Sequence, residues 1–428
     1  MSETAQQLPI TQQSVALCMQ LTRAPIMVNT MTGPAPEVGA AQRALKKNQS
    51  DPGMPFVRIT DLGNEIGGKT VTVDAFNIPT GEPIMGDENV SGNGVPLTSS
   101  SFSCNINMAS FNVNGGGEMV QQATRHNIRS VGRNGLYNYF QNLLGQRALV
   151  HLFGARGFQT GTPWAPIPLA SSARFGSIMI NGVQAPTYNR HYVVNGANLT
   201  RGGLQAASLA TTDVWKLSVL DNLALLLEQL DTRIPVPRVV GDEQSYDAPL
   251  KGILLMPPGS YNALVTDISS TTSNLRAYQA AVSDRQKWAK DSPVFKGECG
   301  IWRGILVKKI ENTIKFPIGS SFQYVTVANR LTQTETAGTV PALGGTHQME
   351  RCMLVGAQAL ARCEGRTRTK VPVEVIENSY DAGTKMEYIG RLLAGEKKFR
   401  FQYPNENGDA EYTDNAALAI DAAVPITG

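Results

Sequence analysis

An α+β fold is predicted for this chain, and three features of its sequence carry the prediction. Alternating β-branched and aromatic runs (Val71 and Val73; Phe102 to Val113) read as half-buried strands. One long proline-free stretch, 118–153, reads as helix. Further helices and strands follow without the regular strand–helix–strand alternation of a parallel sheet. At 428 residues the chain is long enough for two or three packed units of roughly 100–200 residues each.

Composition narrows the function classes. Apolar residues make up 42%, enough for a sizeable interior, while charged residues make up only 17% against roughly 25% in a typical soluble domain. Gly, Ser, Thr, Asn and Gln fill the deficit, and a surface short of charge suits large protein–protein contacts. A net charge of +3, from 38 basic and 35 acidic residues, argues against a dedicated nucleic-acid grip but permits a wall that faces DNA. Five scattered cysteines (Cys18, Cys104, Cys299, Cys352, Cys363) show neither metal spacing nor a disulfide framework, so reduced, mostly buried thiols are expected. Met1 to Ile10 lacks the pattern of a signal peptide, and no run of about 18 apolar residues occurs. A soluble intracellular product with no membrane partner is the expectation.

Along the chain, residues 1–55 are punctuated by Pro25, Gly33, Pro34, Pro36, Pro52 and Pro55, and predict an extended arm with one short helix over about 12–21. Residues 56–116 predict a long β-hairpin: Val57 and Ile59, then Val71 and Val73, pair with the 102–113 run around a turn-rich tip at 78–101. An isolated hairpin is marginal in water, so this one is expected to reach towards a neighbouring subunit. After Gly115-Gly116-Gly117 the helix over 118–153 would span on the order of 50 Å. Arg125, Arg129 and Arg133 recur on it at i, i+4 and i+8 and share one face. Such a stripe meets a neighbour's carboxylates or a phosphate, or is simply a solvated face.

The Gly/Pro/Ser/Asn-rich stretch 154–212 holds one strand candidate, 177–180, and a leucine-spaced helix follows at 213–230. A buried strand is predicted at 251–256, with Ser260 as N-cap of the next helix, then a helix at 273–290 and a strand at 304–310. A small apolar-rich helix is predicted at 349–363 and tail strands at 371–376, 386–389 and 397–403.

The sharpest enzymatic signal is Gly63-Asn64-Glu65-Ile66-Gly67-Gly68-Lys69-Thr70, which satisfies GxxxxGK[ST]. A phosphate-binding loop needs a helix next, so that the helix N-terminus faces the anion. Here Val71-Thr72-Val73-Asp74-Ala75-Phe76 follows, which is strand chemistry, so the segment reads as a hairpin connection. GxSxG and HExxH are absent, and the four histidines have no partner set in sequence. The acidic stretch 405–414 lacks calcium-loop spacing and reads as a polar turn. No catalytic, cofactor-binding or metal-ligating residue is predicted, and no enzyme.

Five blocks, in order, resemble one viral family. They are Asp61-Leu62 to Phe76; Gly154-Ala155-Arg156-Gly157 with Asn181-Gly182-Val183-Gln184-Ala185-Pro186-Thr187-Tyr188-Asn189-Arg190; Pro293 to Val307; Met353-Leu354-Val355-Gly356-Ala357-Gln358-Ala359; and Gly395-Glu396-Lys397-Lys398-Phe399. Together they resemble the major capsid protein of tailed bacteriophages, closest to podoviruses that package a virion RNA polymerase. Gly67-Gly68 and Tyr380-Asp381-Ala382-Gly383 depart from the family's pattern. The resemblance implies the tailed-phage and herpesvirus capsid fold, HK-97-like. Its parts would be an N-terminal arm (1–55), an extended hairpin loop (56–116), a peripheral domain with a spine helix at about 118–153 (117–240), an axial domain (241–364) and a return to the peripheral domain (365–428).

The same resemblance implies self-assembly as hexamers and pentamers into an icosahedral shell around double-stranded DNA. The expected partners are other copies of the chain, a separate scaffolding protein, a portal and decoration proteins. Lys69, the only hairpin lysine, and Arg125, Arg129 and Arg133 are the expected inter-subunit contacts. The alternatives are another virion structural protein (portal or decoration) or an encapsulin-like compartment, with a P-loop NTPase disfavoured.

Overall fold

The computed structural model describes residues 3–23, 26–33, 50–60, 62, 68–77, 83–86, 91, 94, 97–124, 128–154, 159–160, 166–237, 250–270, 299–310, 313–380, 384–404 and 409–426. Helix α1 (Glu3–Arg23) and a short α2 (Met27–Thr30) come first. Leu17 and Leu21, four residues apart, bury one face of α1, and the Ser14 hydroxyl accepts the Val375 N–H at 3.0 Å. The expected short helix over 12–21 is thus corrected to 21 residues, and it lies against its own chain.

Strands β1 (Phe56–Ile59), β2 (Thr70–Phe76), β3 (Ser99–Asn105) and β4 (Asn107–Gly117) follow. Only β2 and β3 make the hairpin, in register from Thr70–Asn105 to Phe76–Ser99. β1, assigned to it from sequence, instead pairs in parallel with residues 360–363. The predicted helix over 118–153 is two helices, α3 (Glu118–Ala123) and α4 (Ile128–Phe153). The break falls at β-branched Thr124, whose backbone is extended (φ −106°, ψ 141°) and whose hydroxyl turns back to the Val120 carbonyl at 3.1 Å. The spine helix therefore has 26 residues and spans about 39 Å. Gly154, at φ 61°, ends it in the left-handed region that glycine supplies without strain.

Next come β5 (Gln159–Thr160), α5 (Phe175–Met179), β6 (His191–Asn195), β7 (Asn198–Arg201) and α6 (Leu217–Gln229). The strand expected at 177–180 is a helical turn, because so short an apolar run carries no period to tell the two apart. β8 (Gly252–Met256) and α7 (Pro258–Ser270) stand close to prediction. Ser260 is not the N-cap: it lies inside the first turn, where its N–H and hydroxyl both donate to Glu350 Oε2, at 2.9 and 3.0 Å. Pro258 takes the first helical position, where its missing N–H costs nothing. The helix expected at 273–290 lies outside the described residues.

β9 (Cys299–Trp302), β10 (Ile305–Lys309), β11 (Thr313–Phe316), β12 (Ser321–Val325) and β13 (Glu335–Thr339) precede the largest correction. The helix expected over 349–363 is two strands, β14 (His347–Val355) and β15 (Leu360–Glu364). The tail forms β16 (Val373–Tyr380), β17 (Lys385–Lys398), β18 (Arg400–Pro404), β19 (Ala410–Asp414) and β20 (Ala417–Pro425).

Two large sheets organise these strands. One runs β1-β15-β17-β16, with β4 also paired to β17. The other runs β7-β6-β20-β14-β8-β10-β9, with β11 on β14. β8 is buried throughout and β20 over its first eight residues, as expected of strands covered on both faces. The spine helix joins the two sheets. Gly390 of β17 lies so close to Phe140 and Leu136 that no side chain would fit there, and the C-terminal half of α4 is buried on nearly all sides. Sheet membership crosses the boundaries drawn along the sequence: segments 56–116, 241–364 and 365–428 each contribute strands to the first sheet.

Candidate assembly site

The root of the β2–β3 hairpin is held by residues from two distant parts of the chain, Asn181 and the segment 395–401. Phe102 packs on Phe399 (ring centroids 4.6 Å apart) and Phe401 (6.3 Å). Lys397 Nζ lies over the Phe102 ring at 5.2 Å and donates to the Ser103 carbonyl at 2.7 Å. Asn181 closes the root. Its Oδ1 accepts the Asn105 N–H at 2.9 Å, and its Nδ2 donates to the Asn105 and Glu396 carbonyls, both at 3.0 Å. Gly395 lets the Asn105 backbone lie directly upon β17; a Cβ there would overlap the Asn105 carbonyl oxygen.

Asn181→Ala leaves one N–H and two carbonyls without this partner at a buried joint. A loss of about 2–4 kcal/mol is expected in denaturant unfolding of the unassembled subunit, and a loss below about 0.5 kcal/mol would refute the clamp.

Behind the root lies a buried charge network. Arg147 of α4 pairs with Glu396 at 2.9 Å and donates to the Ala394 carbonyl at 3.1 Å. Asp414 pairs with Lys398 at 2.6 Å and with Arg400 Nε at 2.8 Å. Burial pushes Lys398 down to about 8, while Arg400 and Lys398 hold Asp414 below the usual carboxylate range against the cost of burial.

His151, in the last turn of α4, donates Nε2–H to the Met179 carbonyl at 3.2 Å. Burial, with Arg147 nearby, pushes its pKa down to about 3. An unfolded histidine titrates near 6.5, so below that pH the unfolded chain binds a proton the folded one refuses, and stability falls as pH drops towards 3. About 2 kcal/mol is expected to be lost through this group between pH 7 and pH 5. His151→Gln should flatten the pH profile of unfolding by that amount; an unchanged profile would exclude the assignment.

The predicted contact residues are distributed as follows. Lys69 is exposed at the hairpin root, just before β2, and its carbonyl accepts the Ile106 N–H at 2.8 Å. Thr70 opens β2 and its hydroxyl donates to Asn105 Oδ1 at 2.7 Å, so the motif ends in a strand and not in the helix a phosphate loop requires. Residues 63–67 and Arg125 lie outside the described residues, and Arg129 sits in the first turn of α4. Arg133 pairs with Glu377 of its own chain at 2.7 Å. The break at Thr124 comes before all three arginines, and Arg129 and Arg133 share the described helix α4. A groove of about 440 Å³ runs between α1 and α4 beside Arg133, lined also by Gln13, Leu17 and Leu136.

Sequence reasoning missed Asn181, Gly395, Lys397 and Phe399 as root residues, although all four stand within the blocks singled out above. It also missed the large apolar side chains turned outwards on the hairpin, Phe76 (67% exposed), Met85 (70%) and Leu97 (63%), and on α3, Met119 (80%). Exposed apolar groups of this size, clustered on neighbouring elements of the chain, point to an interaction surface. Among the described residues, no group of three or more His, Cys, Asp or Glu is placed to hold a metal, and no helix is long and apolar enough to cross a membrane.

Comparison with solved structures places this architecture among phage shells. The capsid of Ralstonia phage GP4 matches at a TM-score of 0.64 with 21% identity, over 88% of this chain and 89% of that one. The capsid of cyanophage Pam1 matches at 0.57 with 15% identity, over 88% and 90%, and the head of Helicobacter pylori bacteriophage KHP40 at 0.54 with 12% identity, over 94% and 97%. No curated protein matches. The model of a family described as phage capsid protein matches residues 3–426. By that match over nearly its whole length, the chain belongs to the phage capsid protein family, with an HK-97-like fold and the role of a shell-building major capsid protein.

Proposed function

We propose that the subunit forms hexamers and pentamers that close into an icosahedral shell around double-stranded DNA in the host cytoplasm, and that it acts through geometry and not catalysis. The observation that carries this reading is the hairpin: it is locked at its root and carries exposed Phe76, Met85 and Leu97. A hairpin fixed at its root and bearing exposed apolar side chains suits a lap joint over a neighbouring copy. Many such contacts, each weak, add to a stable shell by multivalency.

In this reading the first sheet with α4 forms the peripheral domain and the second sheet the axial domain. Lys69, Arg125 and Arg129 meet neighbouring copies, while Arg133 shares its charge with Glu377. A separate scaffolding protein, a portal and decoration proteins complete the partner set. The near-neutral charge balance lets packaged DNA touch the wall without being held by it.

Electron microscopy with light scattering on the purified protein tests the reading. Shells, tubes or isolated hexamers and pentamers are expected from the native chain. A paired Phe76→Ser, Leu97→Ser variant should fold but fail to close shells. Native protein that stays monomeric with and without scaffold, or a double variant that assembles normally, would overturn it.

A further inference from the structure

Two cysteines meet where the hairpin joins the body. Cys104 lies on β3 and Cys363 on β15, and both side chains are fully buried. Gly395 is the register partner of Cys363 across the β15–β17 ladder. Cys104 Sγ in turn points to the Gly395 carbonyl at 3.8 Å, over the same glycine that admits the Asn105 backbone. The two thiols therefore flank one backbone position from two separate elements. They share a small apolar cluster with Val71, Phe102 and Phe399, apart from the main core.

We propose that Cys104 and Cys363 form a modification site, oxidised in the released particle to an intrachain disulfide that fastens the hairpin to the shell wall. The chemistry is exchange with a low-molecular-weight disulfide such as oxidised glutathione. One cysteine, as thiolate, attacks the external disulfide and expels one reduced glutathione. The second thiolate then attacks the mixed disulfide and expels the other. Two S–H bonds are lost, one S–S bond forms, and the two electrons and two protons leave on two molecules of reduced glutathione.

The timing follows from compartment and burial. A bacterial cytoplasm keeps thiols reduced, so during assembly the root is held by its noncovalent contacts alone; after lysis that protection ends. Mutual contact and burial hold the Cys363 thiol far above its usual range, and a neutral thiol does not attack disulfides. Oxidation must therefore wait for the root to open briefly, and its rate reports that opening. Because the bond would join two positions far apart in sequence, it constrains the unfolded chain strongly.

The test uses intact particles released from lysed cells, incubated with oxidised glutathione, blocked with N-ethylmaleimide, then digested without reduction and mapped by mass spectrometry. A linked pair of peptides carrying Cys104 and Cys363, lighter by two hydrogens than the sum of its halves, is the expected product. Dithiothreitol should then lower the thermal midpoint of native particles by several degrees and leave Cys104→Ser and Cys363→Ser particles unmoved. Three outcomes would overturn the proposal: both cysteines fully blocked by maleimide after prolonged oxidation, a link that involves Cys18, Cys299 or Cys352 instead, or a dithiothreitol shift that persists in the serine variants. The peptide map of the native chain decides the matter even if a variant fails to assemble.

Discussion

Gly395→Ala is expected to prise the hairpin from the body and abolish shell formation. The added Cβ would overlap the Asn105 carbonyl oxygen and stand 3.1 Å from its carbon and 3.3 Å from the Asn181 amide nitrogen. Most of what it meets is backbone, and Gly395 is itself fixed by its pairing with Cys363 across the sheet. Neither side can give way without breaking a ladder or the three Asn181 hydrogen bonds. Overpacking costs about 1–3 kcal/mol, and each buried polar group left without a partner about as much again. A total loss of about 3–5 kcal/mol is a large part of a typical 5–15 kcal/mol folding stability. Gly135→Ala is the matched control: that glycine lies exposed on α4 with open space around its Cβ position. There the change should be neutral or stabilising by up to about 1 kcal/mol. Denaturation midpoints and micrographs of the two variants check the pair, and similar behaviour of both would refute the steric account.

The sequence was readable where the environment is one-sided. β2 and β3 alternate because one face of the hairpin root packs on Phe399 and Phe401 while the other faces solvent, and α6 shows its leucine spacing because one face meets the core. Legibility failed at β14, although the shorter, equally buried β8 was read correctly because Pro257-Pro258-Gly259 bounds it. β14 is buried over its last seven residues, so Met353, Leu354 and Val355 show no alternation and pass for the apolar face of a helix. The turn that follows is hidden in Gly356-Ala357-Gln358-Ala359, and nothing local announces that Gln358 takes a left-handed φ of 58° or that Gly356 is pressed against the Pro235 carbonyl.

The assembly site was legible as a motif but not as a mechanism. Gly395-Glu396-Lys397-Lys398-Phe399 stood out as a block, and each of its members serves the joint in a different way. Gly395 admits a backbone, Glu396 balances Arg147, Lys397 covers Phe102, Lys398 meets Asp414, and Phe399 carries the aromatic contact. Those partners are remote, as with Cys104 and Gly395 at a separation of 291 residues, and no local period encodes them. The arginine spacing is legible in the same way, but of its three members only Arg133 has a described partner, Glu377 of its own chain.

Asp421→Asn should be the most damaging single change in the interior. Asp421 of β20 is fully buried opposite Arg351 of β14, its register partner. Arg351 grips both carboxylate oxygens, Nε at 2.6 Å and Nη2 at 2.8 Å, and His191 Nε2 adds a third contact at 2.7 Å. Arg351 Nη1 also donates to the Phe153 carbonyl at 3.0 Å, so the cluster ties the end of the spine helix to the second sheet. Arg351 and His191 hold Asp421 far below the usual carboxylate range, although burial opposes them. The stability this provides is present above the unfolded pKa near 3.9 and is lost only as pH falls below it.

Burial outweighs Asp421 at His191 and lowers that pKa, because the carboxylate is already balanced by Arg351. The asparagine variant retains the shape but strands a buried guanidinium opposite a neutral amide that can offer it one acceptor instead of two. Removing one partner of such a pair costs about 3–5 kcal/mol, whereas replacing both by apolar groups of similar volume is far milder. Asp421→Asn should therefore yield little soluble subunit at pH 7, and the double variant Asp421→Leu, Arg351→Met should recover much of it. If the double variant is as unstable as the single one, the loss lies in packing and not in the uncompensated charge.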